Sequence, residues 1–173
     1  LTHKRMSYIE QMQLLFKAQG GSYSEFSGLK EILTDMDRIQ AELGFEEGKI
    51  PLKQKPTITG AQERIEQYIK TVFNLAVHFD LDKKRDSPFS FNWRGAITSS
   101  FYKNQNFYYE IGCMFYNYSA MYFNAGMELA FTSGADRAAN LKTALRYFRA
   151  AMWGFNECTA AIAKCLTTGT VPQ

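Results

Sequence analysis

Apolar residues recur at helical spacing in five stretches of this chain and alternate with polar ones in a single short stretch. The first helix is expected over about 4–17, where Met6, Ile9, Met12 and Phe16 make one stripe and Gly20-Gly21 supplies the stop. The second follows Ser22, which stands three residues before Glu25, so that side chain and backbone can cap each other. Phe26, Leu29, Leu33, Met36, Ile39 and Leu43 then share one face, with Lys30, Glu31, Asp35 and Glu42 opposite. This helix should lie on the outside of a bundle. A polar loop from Gly44 to Pro56 leads to a third helix, opened by Thr59 and Gln62. Its buried side should be Ile65, Tyr68, Ile69, Val72, Phe73 and Ala76.

After a charged loop from Asp80 to Pro88, Phe89-Ser90-Phe91-Asn92-Trp93 alternates aromatic and polar side chains. That pattern predicts a short, half-buried strand. No second strand pattern stands out, so its partner is expected from residues that would precede Leu1, or from another segment. The fourth helix is expected from about Asn106 to Phe131. Its aromatic and aliphatic residues surround the whole circumference, which predicts a central post buried on all sides. Thr132-Ser133-Gly134 breaks the chain before a fifth helix from about Ala135 to Leu166. Leu141, Leu145, Phe148, Met152, Phe155 and Ala160 should form its apolar stripe, and the fourth and fifth helices should make an antiparallel pair joined by a short turn. Ala144 beside Phe148 suggests tetratricopeptide-like packing of large residues against small ones, although no 34-residue repeat is present. The pattern therefore predicts an all-α, elongated helical bundle with one short β-strand.

Composition sharpens this picture in one respect. Of 173 residues, 14 are Phe, 10 Tyr and 2 Trp, and they concentrate between Phe89 and Phe155, which places the core there. Net charge is +3, but Lys49 to Lys103 holds 10 Lys/Arg against 5 Asp/Glu. Lys83, Lys84 and Arg85, with Arg94 and Lys103 nearby, form a candidate basic patch. Each cation near an anionic membrane adds roughly 1 kcal/mol, so this patch alone gives weak adhesion. Cys113, Cys158 and Cys165 are odd in number, lack a CxxC pair and sit among apolar neighbours, which reads as reduced core thiols. No apolar run reaches the roughly 18 residues of a membrane span.

Candidate chemistry is sparse. His3 and His78 have no spaced carboxylate or thiol that would build a metal site, and no P-loop, nucleophile elbow or dinucleotide fingerprint occurs. Neither enzyme activity nor a cofactor is expected. Nucleic-acid binding is not expected either, because the aromatics are interleaved with core positions rather than with a basic stripe. Glu110 and Asn117 are the informative polar residues: seven apart, they share one face of the most apolar helix. A buried carboxylate must be paired or protonated. Arg146 and Arg149 on the fifth helix are the expected partners, in a polar latch that fixes helix register.

Three segments in order resemble the BRO domain at the front of Alix-type proteins. They are Phe91-Asn92-Trp93-Arg94-Gly95-Ala96-Ile97, Tyr109-Glu110-Ile111-Gly112-Cys113-Met114-Phe115-Tyr116-Asn117, and the run Leu141-Lys142-Thr143-Ala144-Leu145-Arg146-Tyr147-Phe148 continuing through Ala151 and Gly154 to Phe155. Ile111 stands where the family usually has Lys, Phe115-Tyr116 where it has Leu-Phe, and Gly95 replaces a common acidic residue. The resemblance is thus to a divergent member.

It implies that residues 1–173 are the front part of a larger curved BRO domain, incomplete at both ends. Trp93, Glu110, Asn117, Phe148 and Phe155 then become motif residues with structural roles. The implied function is a non-enzymatic adaptor of the ESCRT and multivesicular-body pathway. It would bind the C-terminal amphipathic helix of an ESCRT-III subunit, largely through helices beyond these five, and be recruited from the cytoplasm to endosomal membranes. An alternative is a membrane-surface or signalling scaffold that kept the fold and lost that partner. The apolar stripe of the fifth helix has few expected neighbours, which also suggests an exposed patch or a dimer.

Overall fold

Alternation along Phe89–Trp93 buries Phe89, Phe91 and Trp93 and leaves Ser90, Asn92 and Arg94 half-buried, as period-two side-chain direction requires. In the computed structural model, which describes residues 2–4, 6–18, 23–43, 58–79, 88–95, 100–134 and 136–167, this segment forms a strand over Phe91–Arg94. Two further strands flank it. Thr2–Lys4 (β1) and Phe101–Asn104 (β3) both pair antiparallel with Phe91–Arg94 (β2), in the order β1-β2-β3. His3 lies opposite Trp93, which lies opposite Tyr102. The expectation that the partner strand would precede Leu1 is therefore corrected: both partners come from this chain. They escaped notice because β1 has only three residues and β3, although as long as β2, does not alternate: Phe101, Tyr102 and Lys103 are all exposed. Strand β1 also takes Lys4 out of the first helix.

Five helices follow the predicted order. They are α1 (Tyr8–Ala18), α2 (Tyr23–Leu43), α3 (Ile58–His78), α4 (Phe107–Phe131) and α5 (Arg137–Thr167), and the architecture is an all-α bundle with a small sheet at one side. Ser22, Gly20-Gly21, the Gly44–Pro56 loop and most of the Asp80–Pro88 loop lie outside the described residues. Helix α2 buries Phe26, Leu33, Met36, Ile39 and Leu43 as its stripe predicts. On α1 the buried face is Tyr8, Met12 and Leu15, with Met6, Ile9 and Phe16 at its margins. On α3, Phe73 leaves the expected buried set and is exposed, while Leu75 enters it.

Helices α4 and α5 form the antiparallel pair. Asn106 caps α4 by accepting from the Tyr108 amide at 2.8 Å. The turn into α5 uses Gly134 at φ +143°, a conformation that residues with a Cβ rarely adopt. Ring pairs fix the register: Tyr116 meets Phe155 at 5.7 Å between centroids and Phe123 meets Phe148 at 5.7 Å. The face that α5 turns to α4 is made mostly of small residues, and much of its apolar stripe is exposed, as the scarcity of expected neighbours suggested. Ala144, Ala151, Gly154, Ala161 and Cys165 are buried, whereas Leu141, Leu145, Met152 and Phe155 are exposed. Small residues on both helices make the close contact possible. A Cβ on Gly126 would lie 2.7 Å from Phe148 Cε1, and one on Gly154 would lie 2.8 Å from Tyr118 Cδ1. The small residue that receives Phe148 is thus Gly126 of α4. Helix α4 itself is not covered all round: Tyr116, Phe123, Met127 and Phe131 are exposed on one side.

Two glycine substitutions should move stability in opposite directions. Gly28 is exposed on α2, and a Cβ there meets nothing within 4 Å. Gly28→Ala should raise stability by about 1 kcal/mol through helix propensity. Gly154→Ala should lower it by about 1–3 kcal/mol, because overpacking against Tyr118 and Ser119 outweighs the propensity gain. Urea denaturation of both variants checks the pair.

Candidate functional site

A single carboxylate ties the sheet to the bundle. Glu110 sits in the first turn of α4 and is buried. Its Oε2 accepts from Trp93 Nε1 at 2.5 Å, and its Oε1 accepts from the Tyr68 hydroxyl at 2.7 Å. Tyr68 Oη also accepts from Gln40 Nε2 at 2.6 Å and lies 2.7 Å from Tyr8 Oη. With its own proton given to Glu110, Tyr68 takes the Tyr8 hydroxyl as a donor. Asp37 of α2 completes the cluster by accepting from the Tyr8 amide at 2.7 Å and from Ser7 Oγ at 3.0 Å. Side chains from β2, α1, α2, α3 and α4 therefore meet in one buried network. Gln40 Oε1 is its one buried side-chain acceptor without a partner among the described residues.

The expectation of an arginine partner for Glu110 is corrected. Arg146 and Arg149 are exposed on α5, and neutral donors take their place. Burial dominates the consequence. Loss of solvation pushes the Glu110 carboxyl up to about 7, against the opposing pull of Trp93 and then Tyr68. Burial likewise pushes the Tyr8 and Tyr68 hydroxyls well above the usual tyrosine range, so both stay protonated as donors. It also raises the Cys113 and Cys158 thiols, which removes the thiolate character a reactive cysteine needs. The three cysteines are unbridged.

Of the other predicted residues, Asn117 is buried two turns along α4 from Glu110. Phe148 is half-buried on Gly126, and Phe155 is exposed against Tyr116. Lys103 is exposed on β3, while Lys83, Lys84 and Arg85 lie outside the described residues. Arg94 does not stand open to solvent as patch members do, since its guanidinium lies over the Phe101 ring at 5.6 Å. Sequence reading missed Tyr8, Asp37, Gln40 and Tyr68 as network members. Asp37 and Gln40 offered one signal: they are polar positions beside the apolar stripe of α2.

The second feature is the open side of the α4–α5 pair. Phe131 is 78% exposed, Met152 62% and Leu145 55%. These are large apolar residues, and Phe123, Met127 and Leu141 on the same two helices are exposed as well. A separate open groove of about 680 Å³ runs between α2 and α3, lined mainly by Leu29, Ile32, Met36, Phe73, Val77 and Phe79. Among the described residues no group of His, Cys, Asp and Glu is placed to hold a metal ion, and no helix is long and apolar enough to cross a membrane.

The raised Glu110 carboxyl sets a pH dependence. Ionisation costs more in the folded protein than in the unfolded chain, so protonated Glu110 is the stabilising form. Its contribution, about 3 kcal/mol, is complete below pH ~4 and is lost as pH rises through about 7. Glu110→Gln should flatten that slope in urea titrations between pH 5 and 8. Glu110→Ala should instead cost about 2–5 kcal/mol throughout, because it strands the Trp93 and Tyr68 donors in the core. A slope unchanged in the Gln variant would assign the titration elsewhere. Comparison with family models, characterised proteins and solved structures finds no match to this chain.

Proposed function

We propose that this chain is a non-enzymatic helical scaffold whose work is to hold a partner's amphipathic helix. Its specific form would be the BRO-type adaptor of the ESCRT pathway, which takes the C-terminal helix of an ESCRT-III subunit at endosomal membranes. One observation carries the scaffold reading: α5 packs its small residues inward and presents Leu141, Leu145 and Met152 outward. A helix that needed only to stabilise its own fold would do the reverse, since burying each such side chain is worth about 1.5–3 kcal/mol. The adaptor reading has a further support. Trp93 and Glu110, from two of the segments on which the BRO resemblance rests, are bonded to each other in the core.

The membrane-surface scaffold keeps one observation in its favour. Strand β3 is an edge of the described sheet, and it exposes Phe101 and Lys103, which share one face, and Tyr102 on the other. Aromatic rings beside a cation suit the headgroup level of an anionic bilayer.

Fluorescence-polarisation titration of labelled ESCRT-III C-terminal helices against the full chain tests the adaptor reading. Saturable micromolar binding, lost when the peptide's apolar anchors become Asp, is the expected result. Absence of binding by folded protein, together with sedimentation on anionic but not neutral liposomes, would replace it with the membrane scaffold.

A further inference from the structure

Helices α3, α4 and α5 meet around a small open cleft of about 240 Å³. Ile111 and Ala161 are its buried floor. Three rings stand around it: Phe73 of α3, and Tyr108 and Phe115 of α4. Phe73 meets Tyr108 edge to face at 6.5 Å between centroids, and Phe115 is held from behind by Trp153 at 5.6 Å. A cleft of this volume is smaller than the sites that take drug-sized ligands. It has room for a compact molecule and none for a helix.

Charge is distributed unevenly along the cleft. Lys164 of α5 holds its ammonium over the Tyr108 ring, 5.4 Å from the centroid, which fixes a cation beside the first turn of α4. Lys70 of α3 lines the same end: α3 meets Glu110 at Tyr68 and Tyr108 at Phe73, and Lys70 lies between those two residues. Among the described residues the one carboxylate that lines the cleft is Glu157. It stands seven residues before Lys164, and so about 10 Å from it along α5. The cleft thus has a cationic end, aromatic walls and an acidic far end.

We propose that this cleft binds a small aromatic carboxylate, its ring among Phe73, Tyr108 and Phe115 and its carboxylate towards Lys70 and Lys164. The site is independent of the helix-holding role and of the open α4–α5 face. An aryl body suits the walls better than an alkyl one, because ring pairs gain from edge-to-face contact beyond the area they bury. The two ammonium groups favour one anionic group at the Tyr108 end. Glu157 then disfavours a second anionic group at the other end, so the ligand is a monoanion.

The anisotropy of 2-naphthoate, which fluoresces by itself, tests the site as the full chain is titrated in. Saturable submillimolar binding is the expected result. The neutral and cationic isosteres, 2-naphthalenemethanol and 2-naphthylmethylamine, should displace the probe only at about tenfold higher concentration than unlabelled naphthoate, the effect of two exposed cations. Benzoate should displace it better than cyclohexanecarboxylate does. Lys70→Gln and Lys164→Gln should each weaken binding about threefold, whereas Glu157→Gln should leave it equal or tighter. Ala160 is exposed on the rim of the cleft. Ala160→Phe should fill the space and abolish binding, with circular dichroism unchanged. The lysine variants, which remove no packing, keep the test valid if that variant folds poorly. No saturation of folded protein at millimolar naphthoate overturns the proposal. So does equal displacement by the three charge forms, or cyclohexanecarboxylate matching benzoate. Binding indifferent to Ala160→Phe and to both lysine variants also overturns it, by placing the ligand elsewhere, such as the groove between α2 and α3.

Discussion

The Glu110 carboxylate, held by the Trp93 indole and the Tyr68 hydroxyl, is the contact on which the rest of the structure depends. An ionisable group so deep in a core is costly, and the cost is contained only because each oxygen has a donor. Those donors come from different elements: Trp93 brings the sheet, Tyr68 brings α3, and Tyr8 and Gln40 attach α1 and α2 through the Tyr68 oxygen. Apolar packing around them is dense but permissive, since Phe89, Phe91 and Phe107 contact each other as ring pairs that tolerate some sliding. The polar network is not permissive. Shifting α4 by one residue would leave the carboxylate facing hydrocarbon, so the network fixes register where the hydrophobic pattern alone would not.

With α4 fixed on its core side, its other sides are settled by size. Glycines and small residues on the α4–α5 contact let two helices approach closely, with Phe148 of α5 received by Gly126 of α4, while Leu141, Leu145 and Met152 stay outside that contact. That exposed apolar surface is the observation on which the proposed scaffold role rests.

Much of this was legible in the chain. Period-3.6 stripes located four helices, an all-round apolar run located α4, the aromatic alternation at Phe89–Trp93 located β2, and Thr132-Ser133-Gly134 marked the turn between α4 and α5. Glu110 stood out because a carboxylate in an apolar helix needs an explanation. Its partners did not stand out: Arg146 and Arg149 were attractive by charge, whereas the indole and hydroxyl donors are ordinary core residues until the fold brings them together. Burial of a tyrosine ring is readable from spacing; the direction of its hydroxyl is not. Which residues of α5 line the α4 contact was not readable for a related reason. Hydrophobic periodicity says that Leu141, Leu145 and Met152 share a face, but the fit between the two helices decides whether that face or the alanine face turns inward. Of the strands flanking β2, β1 is too short to show a period and β3 exposes three successive residues, so neither alternates.

Hydrogen exchange at the Trp93 indole N–H, followed by NMR at neutral pH alongside global stability, tests the central claim most directly. If the Glu110 contact holds the elements together, this proton exchanges only through global unfolding, with an opening free energy equal to that from urea denaturation. Exchange that is orders of magnitude faster, through local opening that leaves the helices protected, would contradict the account and reduce Glu110 to a passive core carboxyl.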